Sequence, residues 1–104
     1  MASNNDQDLR RLEYHVLLAL AAGALYGYAV KDAVLEDSGG ALNPRAGSLY
    51  RVFARLLSRG FVEQVEHEPS EPHPGLERKY YGLTRSGRTA LESETARLRP
   101  MLLL

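Results

Sequence analysis

Three segments of helical periodicity, two short β-prone runs and a last helical segment predict a mainly helical fold with one small β-hairpin. The order is helix-helix-helix-strand-strand-helix. Two further observations shape the expectation. The chain has 104 residues, enough for one domain with one modest core. One helix-length stretch, residues 45–60, holds four arginines and no acid.

The first helix is read over residues 9–22, where Leu9, Leu12, Val16 and Leu20 recur at three- and four-residue steps and share a face. Gly23 follows as a stop, and Ala24-Leu25 is read as a short connection. The second helix spans residues 26–37, with Ala29, Val30, Ala33 and Val34 as its apolar positions, and Ser38-Gly39-Gly40 closes it. For the third, Asn43 is the expected N-cap and Pro44 the first helical residue. That helix runs to about Ser58 and stops near Gly60.

Residues 61–65 and 78–83 are the β-prone runs, and the acid- and proline-rich residues 68–75 join them as a loop. Within the second run Tyr80 and Tyr81 alternate, so one should face the core. Thr84 caps a final helix over residues 85–98, which Pro100 is expected to end or kink, leaving the apolar residues 101–104 as a tail.

Three helices followed by a hairpin is the winged form of the helix-turn-helix, in which the helix before the hairpin enters the major groove of DNA. The expected division is a flexible N-terminal tail (1–8), a winged helix-turn-helix DNA-binding domain (9–83), and a C-terminal dimerisation helix with its tail (84–104).

A formal net charge of zero argues at first against a polyanionic partner. The charge is blocked, however. Residues 1–44 hold three basic and six acidic groups, residues 61–77 five glutamates and no Lys or Arg, and residues 78–104 six basic and two acidic groups. At about 100° per residue, the third helix divides into two faces. Leu49, Phe53, Leu56 and Leu57 gather on the core side, and Arg51, Arg55 and Arg59 on the other with Ser48, while Tyr50 sits near the boundary. A guanidinium fork bonds a phosphate or a guanine edge bidentately. A solvated helix face would also carry arginines, but it would ordinarily interleave acids for four-residue pairing, and here none intervenes.

Other chemistries find little in the chain. It has no cysteine, so disulfides, thiolate metal sites and cysteine nucleophiles are excluded. His15, His67 and His73 have no metal-ligand spacing, and no phosphate-cradling loop or nucleophile motif is present, so neither catalytic residues nor a cofactor are expected. His15 is read as a partly buried structural residue, and Tyr26 and Tyr28 as packing for the helix-helix turn. The longest apolar run, residues 16–22, is too short to cross a bilayer, and residues 1–8 lack a basic signal region. A cytoplasmic location is the default. Leu91, Leu98, Met101 and Leu102 form an apolar stripe on the last segment that a two-fold partner would cover.

Leu12-Glu13-Tyr14-His15-Val16-Leu17-Leu18-Ala19-Leu20 with Tyr26-Gly27-Tyr28 resembles the opening of PadR-type regulators. Gly47-Ser48-Leu49-Tyr50-Arg51, Arg55-Leu56 and Gly60-Phe61-Val62 resemble their recognition helix and its exit into the wing. Arg78-Lys79-Tyr80-Tyr81-Gly82-Leu83-Thr84, with Gly87, resembles the second wing strand and the start of the last helix. The resemblance implies a homodimer that represses a nearby gene through a palindromic operator on double-stranded DNA. In some members a small aromatic or drug-like ligand releases the DNA. It implies groove contacts from Ser48, Tyr50 and Arg51, with Arg78 and Lys79 at the basic end of the wing. The chain departs from the pattern in an acidic wing (Glu66, Glu68, Glu71, Glu77), a short last helix and the lack of tryptophan. A winged-helix protein-interaction module without DNA binding is the rival reading.

Overall fold

Helical spacing of apolar residues and two glycine-closed turns set most of the chain's path. The computed structural model describes residues 9–66 and 79–102. Helix α1 is Arg11–Leu20, strand β1 Leu25–Tyr26, α2 Gly27–Asp37, α3 Ala46–Ser58, β2 Val62–Val65, β3 Tyr80–Leu83 and α4 Arg85–Leu102. The expected tail 1–8, the loop 68–75, His67, His73, Arg78, the wing acids Glu68, Glu71 and Glu77, and residues 103–104 lie outside the described residues.

The core draws on every helix. Val16, Leu17 and Leu20 of α1, Val30 and Val34 of α2, Leu49, Val52, Phe53 and Leu56 of α3, and Leu91 of α4 are buried together with Val62 and Tyr81 of the sheet. Burying each such Val or Leu side chain contributes about 1.5–3 kcal/mol relative to exposure. The ring of Phe53 stacks on Tyr81 at 4.3 Å, which seats α3 against β3. Tyr81 is therefore the core-facing member of the tyrosine pair, and Tyr80 meets Tyr26 edge-on at 5.7 Å.

Two helix ends close in the same way. The α2 helix ends with Gly39 N–H donating to Glu36 O (3.0 Å) and Gly40 N–H to Leu35 O (2.9 Å). The α3 helix ends with Gly60 N–H donating to Leu57 O (3.1 Å) and Phe61 N–H to Leu56 O (2.9 Å). These paired bonds need a left-handed residue after the cap, supplied by Gly39 (φ 64) and Gly60 (φ 76). The second turn aims the chain directly into β2.

Several sequence expectations are corrected. The hairpin is part of a three-stranded antiparallel sheet of order β1-β3-β2, with Leu25 opposite Tyr81 and Val65 opposite Tyr80. Leu25 of the expected connection and Tyr26 of the expected second helix form β1 instead, and α2 starts at Gly27; a two-residue strand has no periodicity of its own, and only its distant partner β3 defines it. Helix α3 opens two residues late, with Arg45 as an extended N-cap (φ −78, ψ 158) and Pro44 buried ahead of it. Helix α4 continues through Pro100 to Leu102: a proline near a helix end forfeits one backbone hydrogen bond, which is no sufficient stop. Leu57 is 40% exposed while Val52 is buried, because Leu57 lies about 90° round the helix from the centre of the buried face. Tyr28 is 74% exposed, so it does not pack the helix-helix turn.

Candidate nucleic-acid interface

The apolar face of α3 locks this helix into the core and leaves the opposite face outward. Tyr50 is 72% exposed, Arg51 and Ala54 are exposed, and Ser48 is half-buried. Arg51 donates to Ser48 Oγ at 3.4 Å, a long bond to a neutral partner that restrains the guanidinium little. Arg45, an exposed cation at the mouth of α3, was absent from the expected contacts although it lies inside the acid-free block.

The other two arginines of the row are differently placed. Each four-residue step rotates about 40° round the helix, so Arg55 and Arg59 drift progressively from Arg51 toward α1. There they meet Glu13, only 2% exposed. Arg55 Nε donates to Glu13 Oε2 at 2.9 Å, and Arg59 Nη1 lies 3.5 Å from Oε1. Arg59 also stands over the Phe61 ring at 4.7 Å, a cation–π contact. Glu13 Oε1 accepts a further hydrogen bond from Arg10 N–H at 2.9 Å.

Burial acts most strongly on Glu13, pushing its carboxyl pKa up. The Arg10 backbone donor, the Arg55 hydrogen bond and the charges of Arg55 and Arg59 together outweigh it, leaving the pKa below its ordinary value. Glu13 is thus a buried anion tying α1 to α3. Removing one partner of a buried pair costs about 3–5 kcal/mol; Arg55 is 40% exposed, so this pair falls at or below the lower end of that range. Glu13 lies outside the expected site residues, although it falls on the α1 face shared by Val16, Leu17 and Leu20, and an acid is rarely buried without a partner.

On the hairpin, Glu63, Gln64 and Glu66 of the β2 side are exposed, as is Lys79 before β3. Thr84 fastens the base of this hairpin to α4. Its N–H donates to Phe61 O (3.1 Å), its hydroxyl donates to Gly60 O, and it caps α4 by accepting from Gly87 N–H at 3.0 Å. A Cβ at Gly87 would lie 1.9 Å from Phe61 O, so only glycine admits this approach.

On α4, Leu91 is 5% exposed within the domain's own core, which removes it from the apolar stripe expected on the outside. Tyr14 Oη and Thr95 Oγ1 are 2.8 Å apart, and Arg88 donates to Ala21 O at 3.2 Å, so the first part of α4 is bound to α1. Leu98 is half-buried, and Met101 and Leu102 end the helix. His15 sits half-buried, edge-on to Tyr14 at 5.7 Å. Among the described residues no group of three potential ligands could hold a metal ion, and no helix is long and apolar enough to cross a membrane.

A family model described as the transcriptional regulator PadR-like family matches residues 16–93. A Streptomyces fradiae sequence described as an uncharacterized 37.1 kDa protein in transposon TN4556 is 42% identical over 79 residues, covering 76% of this chain and 20% of that protein. Bacillus subtilis PadR in complex with operator DNA matches at TM-score 0.69 and 28% identity, over 83% of this chain and 47% of that one. RosR from H. salinarum matches at TM-score 0.70 and 26% identity, over 89% and 77% of the two chains. A PadR family transcription regulator from Clostridium difficile R20291 shares the fold at TM-score 0.71 and 22% identity, over 88% and 91%. The chain therefore spans one fifth of the Streptomyces protein and about half of the B. subtilis one.

Proposed function

The chain belongs to the PadR-like family of transcriptional regulators, and on that premise we propose that it binds specific DNA with α3 in the major groove. The observation that carries this reading is the acid-free α3, whose apolar face is buried while Tyr50 and Arg51 stand exposed on the other side. In this reading Ser48, Tyr50 and Arg51 contact the groove, and Arg78 and Lys79 support them from the wing. Arg55 and Arg59, expected from sequence as DNA contacts, act chiefly by holding α3 to Glu13.

The protein acts as a homodimer on a palindromic operator, because a two-fold partner supplies the second recognition helix. Leu98, Met101 and Leu102, on the part of α4 beyond its ties to α1, are the dimerising residues. Its role is repression of a neighbouring gene in the cytoplasm, relieved by a small aromatic or drug-like ligand. Operator DNA bound to the B. subtilis relative supports the choice of partner.

The test is fluorescence anisotropy with promoter DNA from the protein's own gene neighbourhood across a salt series. The logarithm of the affinity is expected to fall linearly with the logarithm of salt concentration. Arg51→Ala is expected to weaken binding about 10- to 100-fold, the order of one lost bidentate base contact. Absence of salt-dependent DNA affinity, with a stable complex to a protein partner instead, would replace this reading by that of an interaction module.

A further inference from the structure

We propose that Glu13 is an internal counter-ion that withholds Arg55, and with it Arg59, from the DNA phosphates. Recognition is thereby concentrated on Ser48, Tyr50 and Arg51. The inference rests on the reading of α3 as the recognition helix.

A carboxylate and a phosphate compete for the same guanidinium donors. On α3 the carboxylate already holds the place. Glu13 Oε2 takes Arg55 Nε at 2.9 Å, and Oε1 faces Arg59 Nη1 at 3.5 Å and accepts from Arg10 N–H at 2.9 Å. For a phosphate to take Arg55, Glu13 would be left as a charge 2% exposed with its strongest side-chain partner gone. Among the described residues Arg51 meets no such competitor: its bond is to a hydroxyl, at 3.4 Å. Three arginines on one helix therefore do not release counterions as three. Non-specific affinity comes almost wholly from phosphate neutralisation, whereas specificity comes from base contacts. Cations withheld from the backbone lower the first and spare the second. The chain's formal net charge of zero fits such a division, since little cationic excess remains to hold an arbitrary duplex.

The experiment measures the salt dependence of binding to a random-sequence duplex for the wild type, Glu13→Gln, Glu36→Gln, Arg55→Gln and Arg51→Gln. Circular dichroism establishes that each variant folds. Glu13→Gln removes the anion and releases Arg55, while Arg59 stays held over the Phe61 ring, so the slope should steepen by about 0.9. That is roughly a 3.5-fold greater loss of affinity for a fourfold rise in salt. Glu36→Gln, which neutralises an exposed acid at the end of α2, makes the same change in net charge and should leave the slope as it was. A random-sequence duplex offers Arg51 no cognate base edge, so there its guanidinium neutralises a phosphate: Arg51→Gln should flatten the slope by about 0.9, whereas Arg55→Gln should keep the wild-type slope.

The proposal is overturned if Glu13→Gln behaves like Glu36→Gln, or if Arg55→Gln flattens the slope as much as Arg51→Gln. Should Glu13→Gln not fold, the comparison of Arg55→Gln with Arg51→Gln decides alone. A wild type without salt-dependent affinity for any duplex would sink the reading of α3 itself, and this inference with it.

Discussion

The two ends of α3 carry the same side chain in different surroundings. Toward the N-terminal end Arg51 stands exposed beside Tyr50 and makes a long contact to Ser48. Toward the C-terminal end Arg55 and Arg59 turn back to a buried carboxylate, and Arg59 covers the ring of Phe61. The cause is geometric. A row spaced by four drifts about 40° per step, so residues that begin on the outer face end at the seam with α1. One sequence pattern thus yields a binding end and an anchoring end, and the anchoring end is joined to the hairpin and α4 through Gly60, Phe61 and Thr84.

The largest effect should come from breaking that joint. Gly87→Ala sets a methyl group against the Phe61 carbonyl, where the opposing atoms are backbone and cannot swing aside. A cost of about 3 kcal/mol or more is expected, seen as a fall in melting temperature of roughly 10 °C or more. Next is the anchor itself. Arg55→Ala should cost about 1.5–3 kcal/mol in chemical denaturation, the worth of a hydrogen bond to a charged group. Arg51→Ala, an exposed change, should stay within about 0.5 kcal/mol.

Acid should weaken the anchoring end in a defined window. The Glu13 carboxyl sits below its ordinary value of 4.5 in the folded chain. Its contribution is therefore present above that pH and is lost as pH falls through the folded value. Glu13→Gln should remove this part of the acid dependence in pH-dependent unfolding. A smaller effect lies nearer neutrality, away from α3. Burial, then the charge of Arg11, push the His15 imidazole below 6.5 despite the opposing charge of Asp37. The unfolded chain binds the proton more readily, so stability should decline slightly as pH falls below 6.5, and His15→Gln should flatten that decline.

Much of this organisation was legible because it is local. The glycines at 39, 40 and 60, the Thr84 cap and the apolar spacing of α1 and α2 each declare themselves within a few residues. What was not legible depends on partners far along the chain. The strand β1 exists only through pairing with β3, and Leu91 was read as an outer residue although it completes a core built by other helices. The Glu13–Arg55 pair joins residues 42 apart. An acid on the buried face of α1 was nevertheless visible, and an arginine row drifting toward the core side was its natural partner. Sorted into two faces the row is one binding surface; only its drift of about 40° per step separates Arg51 from Arg55 and Arg59.

The most direct test of the division along α3 is a paired affinity measurement of Arg51→Ala and Arg55→Ala on the same promoter fragment, at a temperature where both variants remain folded. The account predicts a loss of about 10-fold or more for Arg51→Ala and a change of less than about threefold for Arg55→Ala, which keeps its recognition end and gives up only an arginine already neutralised by Glu13. Equal losses from the two variants would contradict it.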